Sequence, residues 1–247
     1  MKRFRFLAAL LVSALILACN FTEEIHFNAD GSGKIDIHFD GDELMAMMAS
    51  MDSTGALDKS IDSTLVFKDL LELKKDSIAQ LSEEEQAKLK KLEPFSMRMV
   101  VDQAKGVMKF NLFSEFDKVA DVNDAFNAFQ DASSFGPGPK SDNGPSMSNQ
   151  QPATQVSYSF EGNTFTRNTK VIDRSLFEQG LDSLQGAEMF LSGSTYTFKY
   201  HFPRRVKKVN VEGATFSMDG KTMIYEVNFL DLMKKPETMN LEVELEN

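Results

Sequence analysis

Glu24-Ile25-His26-Phe27-Asn28-Ala29-Asp30-Gly31-Ser32-Gly33-Lys34-Ile35-Asp36-Ile37-His38-Phe39 is the stretch that decides the fold. Apolar and polar residues alternate on both sides of an Asp-Gly-Ser-Gly turn, the pattern of two half-buried strands joined in a hairpin. Ile25, Phe27 and Ala29 must share a face with Ile35, Ile37 and Phe39. Odd residues opposite odd residues require a loop of odd length, such as Gly31-Ser32-Gly33 with Gly33 left-handed. In that register His26 and His38 are expected opposite each other on the outer face, with Glu24 and Asp36 nearby. Two imidazoles without a third strong ligand read as solvated strand residues, and no metal site is assigned. The same segment imitates a calcium loop but carries Phe39 where the bidentate Glu should stand.

Outward from this hairpin, the alternation of strands and helices continues. Asp42 reads as the cap of a helix over Glu43 to Ser50. A helical stretch is expected from about Val66 to Lys91, restarted by the capping box at Ser82 and Glu85 and ended by Pro94. Phe95 to Asp102 and Val107 to Phe113 form a second hairpin. Glu115 to Asp131 reads as an amphipathic helix with Phe116, Val119, Val122, Phe126 and Phe129 on one stripe. Val156 to Phe160 and Thr164 to Val171 form a third hairpin, before a helix from Asp173 to about Phe190. Strands follow at Thr195 to Phe202, Val206 to Val211, Ala214 to Met218, Thr222 to Phe229 and Met239 to Glu246. The expected class is α+β: antiparallel sheet built from repeated hairpin-plus-helix units, with helices on one face.

The ends of this pattern divide the chain. Residues 1–18 read as a lipoprotein signal peptide: Lys2, Arg3 and Arg5 precede an apolar run of 13 residues, too short to span a bilayer comfortably. Ile16-Leu17-Ala18-Cys19 resembles the lipobox of bacterial lipoproteins. That resemblance implies cleavage after Ala18 and lipidation of Cys19, the chain's single cysteine. Two or three acyl chains there would anchor the protein stably. Asn20 after the cysteine favours the outer membrane of a Gram-negative envelope.

Residues 19–132 form an acidic N-terminal α+β part and 156–247 a strand-rich C-terminal part, together two units or one composite domain. Between them, 133–155 holds four of the seven prolines with Gly, Ser, Asn and Gln, the composition of a flexible linker or loop.

Composition excludes several classes. One cysteine permits no intramolecular disulfide and no Cys-based zinc site. The net charge of −10, which becomes −13 once residues 1–18 and their three positive charges are removed, argues against a nucleic-acid binder. No nucleophile elbow, His-Glu-x-x-His or phosphate-cradling loop is present, so no catalytic residue and no cofactor is assigned.

Met45, Met48 and Met51 recur every third residue on one helix. They read as core packing, as the lining of an adaptable apolar groove for a ligand, or as thioether ligands for Cu(I). Arg204, Arg205, Lys207 and Lys208 form the one concentrated basic patch, placed either for membrane or phosphate contact or as protection of a strand edge. His201 reads as a strand residue. Asp-Ser-x triplets at 52–54, 62–64, 76–78 and 182–184 resemble a periplasmic O-glycosylation motif, and equally fit turn and cap chemistry.

Two stretches resemble the LppM-type domain of bacterial lipoproteins. They are the strand–Asp30-Gly31-Ser32-Gly33–strand opening, and Phe202-Pro203-Arg204-Arg205-Val206-Lys207-Lys208-Val209-Asn210 followed by Asp219-Gly220-Lys221-Thr222-Met223-Ile224-Tyr225. The resemblance covers about a quarter of the chain. It implies an α+β envelope domain, with lipid binding in some members. The chain departs from that family in its linker and in ending Glu-Leu-Glu-Asn, without the C-terminal membrane helix many relatives carry. No site residues transfer.

The resulting reading is a lipid-anchored, non-enzymatic envelope protein that binds an apolar ligand or scaffolds an envelope complex. Its partners would be the membrane, through Cys19, and an apolar molecule or envelope protein. The alternative is an envelope hydrolase using carboxylates.

Overall fold

In a computed structural model, β1 (Asn20–Phe27) and β2 (Gly33–Asp40) pair antiparallel with Ile25 opposite Ile35 and Glu23 opposite Ile37. The structure describes residues 19–51, 60–125, 127–128, 153–184 and 188–247, without the side chains of 47–51, 84, 183, 189 and 190. Odd residues face odd residues, as the alternation demands.

The loop between these strands differs in detail. It runs over residues 28–32, and Gly31, not Gly33, takes the left-handed conformation, with φ of 87°. Gly33 is a strand residue opposite Phe27. It is glycine for another reason: a Cβ there would sit 2.1 Å from the His26 carbonyl oxygen and 2.7 Å from the Phe116 ring. Asp30 accepts hydrogen bonds from the Ser32 amide and hydroxyl, so its carboxylate closes the turn and no calcium loop forms. His26 lies opposite Lys34 and His38 opposite Thr22, so the two imidazoles are not partners.

This hairpin is the centre of an eight-stranded sheet. Its other members are β3 (Ile61–Val66), β4 (Ser96–Asp102), β5 (Val107–Phe116), β8 (Thr195–His201), β10 (Thr215–Phe216) and β11 (Thr222–Asn228). The order is β10-β11-β8-β1-β2-β5-β4-β3. All neighbours are antiparallel except β1 and β8, which run parallel, Ile25 beside Tyr200 and His26 beside His201. The sheet is therefore mixed, and it draws strands from both sides of 133–155. A second sheet, in the order β6-β7-β12-β9, contains β6 (Thr154–Glu161), β7 (Thr164–Val171), β9 (Val206–Val209) and β12 (Leu241–Leu245). Thr154 and Gln155, assigned to the linker from composition, already belong to β6. Residues 133–152 lie outside the described residues.

Among the described residues, the helices include α1 (Asp42–Met51), α2 (Phe67–Leu73), α3 (Lys75–Ile78), α4 (Glu83–Lys91), α5 (Arg174–Leu184), α6 (Glu188–Leu191) and α7 (Phe229–Lys234). With the two sheets they make an α+β protein. Repeated hairpin-plus-helix units are not evident, because the hairpins enter different sheets and the helical stretches differ from expectation. Residues 66–91 break into three short helices behind a strand that alternation did not reveal. The capping box at Ser82 does form, with Glu85 reaching back to the Ser82 amide.

The stretch 115–131 does not form the expected helix. Glu115 and Phe116 stay in β5, opposite Lys34 and Gly33, a short 3-10 turn follows at Val119–Val122, and among the described residues of this stretch only 125, 127 and 128 are helical. Asn123 and Asp124 then cap the free edge of β6: the Tyr158 amide donates to Asn123 Oδ1 and the Val156 amide to Asp124 Oδ1, both at 2.7 Å. Asp124 does this with a φ of 61°, a conformation that a short polar side chain tolerates. Phe126 and Phe129 lie outside the described residues.

The core lies where the inner faces of the sheets meet. Ile25, Phe27, Ile35, Ile37, Leu112 and Phe198 from the large sheet join Val156, Phe165, Leu241 and Val243 from the small one in a single cluster. Phe27 stacks against Phe202 at 5.5 Å and meets Phe160 and Phe165 at 5.0 and 5.1 Å. Each such fully buried ring stabilises the fold by roughly 1.5–3 kcal/mol. The opposite face of the large sheet is polar and half-exposed, carrying Glu24, His26, Asp36, His38, Lys199 and His201. That division is typical of a sheet with one buried face.

Candidate functional site

Three places hold chemistry: the start of β1, a cavity beside α5, and the polar outer face of the large sheet. Cys19 precedes β1 directly. Its side chain is buried, at 7% exposure, and its amide donates to Ser194 Oγ at 3.0 Å. Burial, and then the carboxylates of Glu43 and Asp40, push the thiol above its ordinary value. A lipid on Sγ therefore has to displace this packing and open the Cys19–Ser194 contact. Ala18 lies outside the described residues. Among the described residues, no helix is long and apolar enough to cross a membrane.

The cavity lies between α5, α7 and the 3-10 turn Pro236–Met239. Its volume is about 210 Å³, and Phe177, Leu181, Leu184, Leu232, Met233 and Met239 line it. α5 carries the right pattern for this: Phe177, Gly180, Leu181 and Leu184 recur at helical spacing and all face the cavity. A Cβ on Gly180 would meet nothing within 4 Å, so the space beside it is open. Of the methionines singled out by their spacing, Met45 does not line this cavity. Met45 is buried in α1, at 2% exposure. The side chains of Met48 and Met51 lie outside the described residues.

On the outer face, β1 and β8 bring Glu24, His26 and His201 together. Their ligand atoms lie within 4.8 Å of one another. Nε2 of His26 is 3.0 Å, and Nε2 of His201 2.7 Å, from the same Glu24 oxygen, Oε1. The two rings stack at 3.8 Å, 5° from parallel. Lys199 Nζ reaches Oε1 too, at 3.1 Å. Burial pushes the Glu24 carboxyl upward, but hydrogen bonds from His201 and Lys199 outweigh it and hold it below its ordinary value. Burial, helped by the neighbouring His201, holds His26 below its ordinary value. Asp36, opposite Glu24 on β2, is pushed up by burial against the opposing hydrogen bond from Asn111. His38 pairs with Asn111 instead, at 2.6 Å.

The basic patch stands at the other end of the molecule from Cys19. β8 runs parallel to β1, so Cys19 lies beside its start at Thr195, and Arg204 follows its end. Seven residues of strand separate the two by about 20 Å. Acids and carbonyls occupy much of the patch. Arg204 donates to Asn163 Oδ1 at 2.8 Å and the Gly162 carbonyl at 3.2 Å. Lys207 meets Glu244 at 2.5 Å and Arg205 meets Glu246 at 3.7 Å. Lys208 is exposed on β9, an edge strand. Of the Asp-Ser-x triplets, 62–64 lies in β3, 76–78 in α3 and 182–184 at the end of α5, while 52–54 is outside the described residues.

One polar cluster escaped the sequence reading. Glu23 of β1 and Arg167 of β7 are both fully buried and ion-paired at 3.0 Å. Tyr196 and Tyr200 donate to the two Glu23 oxygens at 3.0 and 2.6 Å, and Arg167 Nη1 donates to Thr169 Oγ1 at 2.8 Å. The signal was available: Glu23 shares the parity of Ile25 and Phe27, and Arg167 that of Phe165. Alternation alone thus puts a carboxylate and a guanidinium in the core, where each requires the other.

No family model matches the chain, and no curated protein matches it. Among solved structures, the chain is similar to the folded domain of the Mycobacterium tuberculosis LppM protein, determined by NMR. The likeness covers 95% of this chain and 96% of that one, at 10% identity and a TM-score of 0.38, a level at which it fixes neither fold nor function here.

Proposed function

We propose that this protein is a lipid-anchored, non-enzymatic component of a bacterial cell envelope that holds an apolar ligand of acyl-chain type in the cavity beside α5. The cavity carries the reading. Its lining is mostly Leu, Phe and Met, its polar groups are few, and its volume of about 210 Å³ suits one slender apolar chain, being below the range of drug-sized sites. The Ile16-Leu17-Ala18-Cys19 motif supports the anchor, and Asn20 after it supports the outer membrane of a Gram-negative cell. This reading takes the cavity beside α5, rather than the Met45–Met51 helix, as the ligand site.

Native mass spectrometry of protein extracted from cells tests the proposal, with titration of a dansyl-labelled C11 fatty acid as the second arm. A retained apolar adduct and saturable probe binding are expected. A single apo mass together with no probe binding would retire the ligand and leave a scaffolding role, to be followed by co-purification at high salt.

Glu24 and Asp36 favour the hydrolase alternative in one respect: neighbouring carboxyls whose proton affinities move in opposite directions suit acid and base roles. A screen of ester and glycoside substrates tests that reading, and activity that survives Asp36→Asn would dismiss it.

A further inference from the structure

The geometry points to Glu24, His26 and His201 as a binding site for one divalent transition metal ion on the outer face of the large sheet. Three kinds of observation carry it. The residues are of the right chemistry: two imidazoles and one carboxylate suit Zn(II), Ni(II) or Cu(II) and are poor for Ca(II) or Mg(II), which want oxygen ligands. Their placement is fixed by rigid elements rather than loops. His26 and His201 are register partners on adjacent parallel strands, and Glu24 is two residues before His26 on the same face. Their ligand atoms are close together, all within 4.8 Å of one another and both Nε2 atoms within 3.0 Å of one carboxylate oxygen.

The surroundings support the site. Thr222 Oγ1 lies 3.1 Å from His201 Nδ1. In the tautomer that donates Nδ1–H to this hydroxyl, Nε2 gives up its proton toward Glu24 and offers its lone pair to a metal, the usual role of the group behind a ligating histidine. All three residues are only half-buried, so water can complete the coordination. An open groove of about 690 Å³, lined by His26, Lys34, Glu115, Asp117 and Asp121 among others, adjoins His26 and leaves room for a further ligand.

Two groups must move. The parallel rings direct their lone pairs side by side, so one ring turns about χ2 to share an ion. The His26 and His201 side chains, 39% and 26% exposed, leave room for that rotation. Lys199 must also leave Oε1, which its flexible stem permits.

The test uses untagged, EDTA-stripped protein and Zn(II) alone, by calorimetric titration at pH 7.5. One saturable site per chain is expected. His26→Gln and His201→Gln should each weaken it at least tenfold, while His38→Gln, on the same face but paired with Asn111, leaves it unchanged. Far-UV circular dichroism checks that each variant folds, and the Nε2 resonances of His26 and His201 in the wild type should shift on Zn(II) addition even where a variant does not fold. No saturable uptake by the wild type, full affinity in either His26→Gln or His201→Gln, or resonance shifts at other histidines only would overturn the site.

Discussion

Glu23 and Arg167 face each other from different sheets, 144 residues apart in sequence, with neither side chain reaching solvent. The pair is bidentate: Nε donates to Oε1 at 3.0 Å and Nη2 to Oε2 at 3.0 Å. Tyr196 and Tyr200 complete the carboxylate, and Arg167 also packs its guanidinium 5.0 Å over the Phe198 ring. The carboxylate raises Arg167 well above its ordinary value, although burial pulls the other way. Desolvating two charges is costly, so the pair is better understood as fixing the registry of the two sheets than as a source of net stability.

Breaking that pair should be far worse than replacing it. Arg167→Met strands a buried carboxylate and should lower unfolding free energy by about 3–5 kcal/mol. The double change Glu23→Leu, Arg167→Met should recover most of that loss. Urea denaturation of the three variants measures both quantities. An Arg167→Met protein as stable as the wild type would refute the account.

Cys19→Ser should release the protein from membranes, because it removes the thiol that would carry the lipid. Fractionation after an alkaline wash reads the outcome. A variant that remains in the pellet shows that something else holds the chain.

Filling the cavity should separate stability from binding. Gly180→Leu replaces a poor helix former and projects a side chain into open space, so it should stabilise by about 1 kcal/mol. The same substitution should weaken acyl-probe binding at least tenfold. Thermal denaturation and probe titration on one sample check the pair of effects. Unchanged probe affinity would place the ligand elsewhere.

Acidification should destabilise the outer face in steps. His26 has a folded pKa below its ordinary 6.5, so the unfolded chain binds more protons just below that pH. Its contribution is complete above pH 6.5 and is lost as pH falls through the folded value. Glu24, also depressed, adds a second loss below pH 4.5. Asp36 is raised above 3.8 and acts oppositely: its contribution is present below 3.8 and lost as pH rises through the folded value. Stability measured between pH 7 and 5 should therefore fall for the wild type and fall less for His26→Gln. Parallel curves would show that His26 is not responsible.

Local pattern made some of this legible. Period-two alternation gave the shared face of Ile25, Phe27, Ile35 and Ile37, since a slip by one residue would have turned the whole apolar set to solvent, but not the register: a loop over 31–33 puts His26 opposite His38, whereas the loop over 28–32 puts Ile25 opposite Ile35. The Ser82–Glu85 cap was readable because its partners are three residues apart. The expected 115–131 helix does not begin at Glu115, for the reason that such patterns fail. Phe116, Val119 and Val122 do bury apolar side chains, but from a strand end and a 3-10 turn, and Asn123 and Asp124 serve a neighbouring strand edge.

The sequence by itself determined the alternation of the strands, the lone cysteine and the apolar run before it, and the acidic balance of the chain. Only the tertiary structure decided that β8 lies parallel to β1. Because of that one pairing, His201 meets His26, Ser194 meets Cys19 and two tyrosines reach Glu23, contacts spanning 173 to 177 residues. Periodicity reports which face of a strand is apolar, and it carries nothing about which distant strand that edge will meet. That choice depends on how all the apolar faces are covered at once, and the candidate metal site exists only as its consequence.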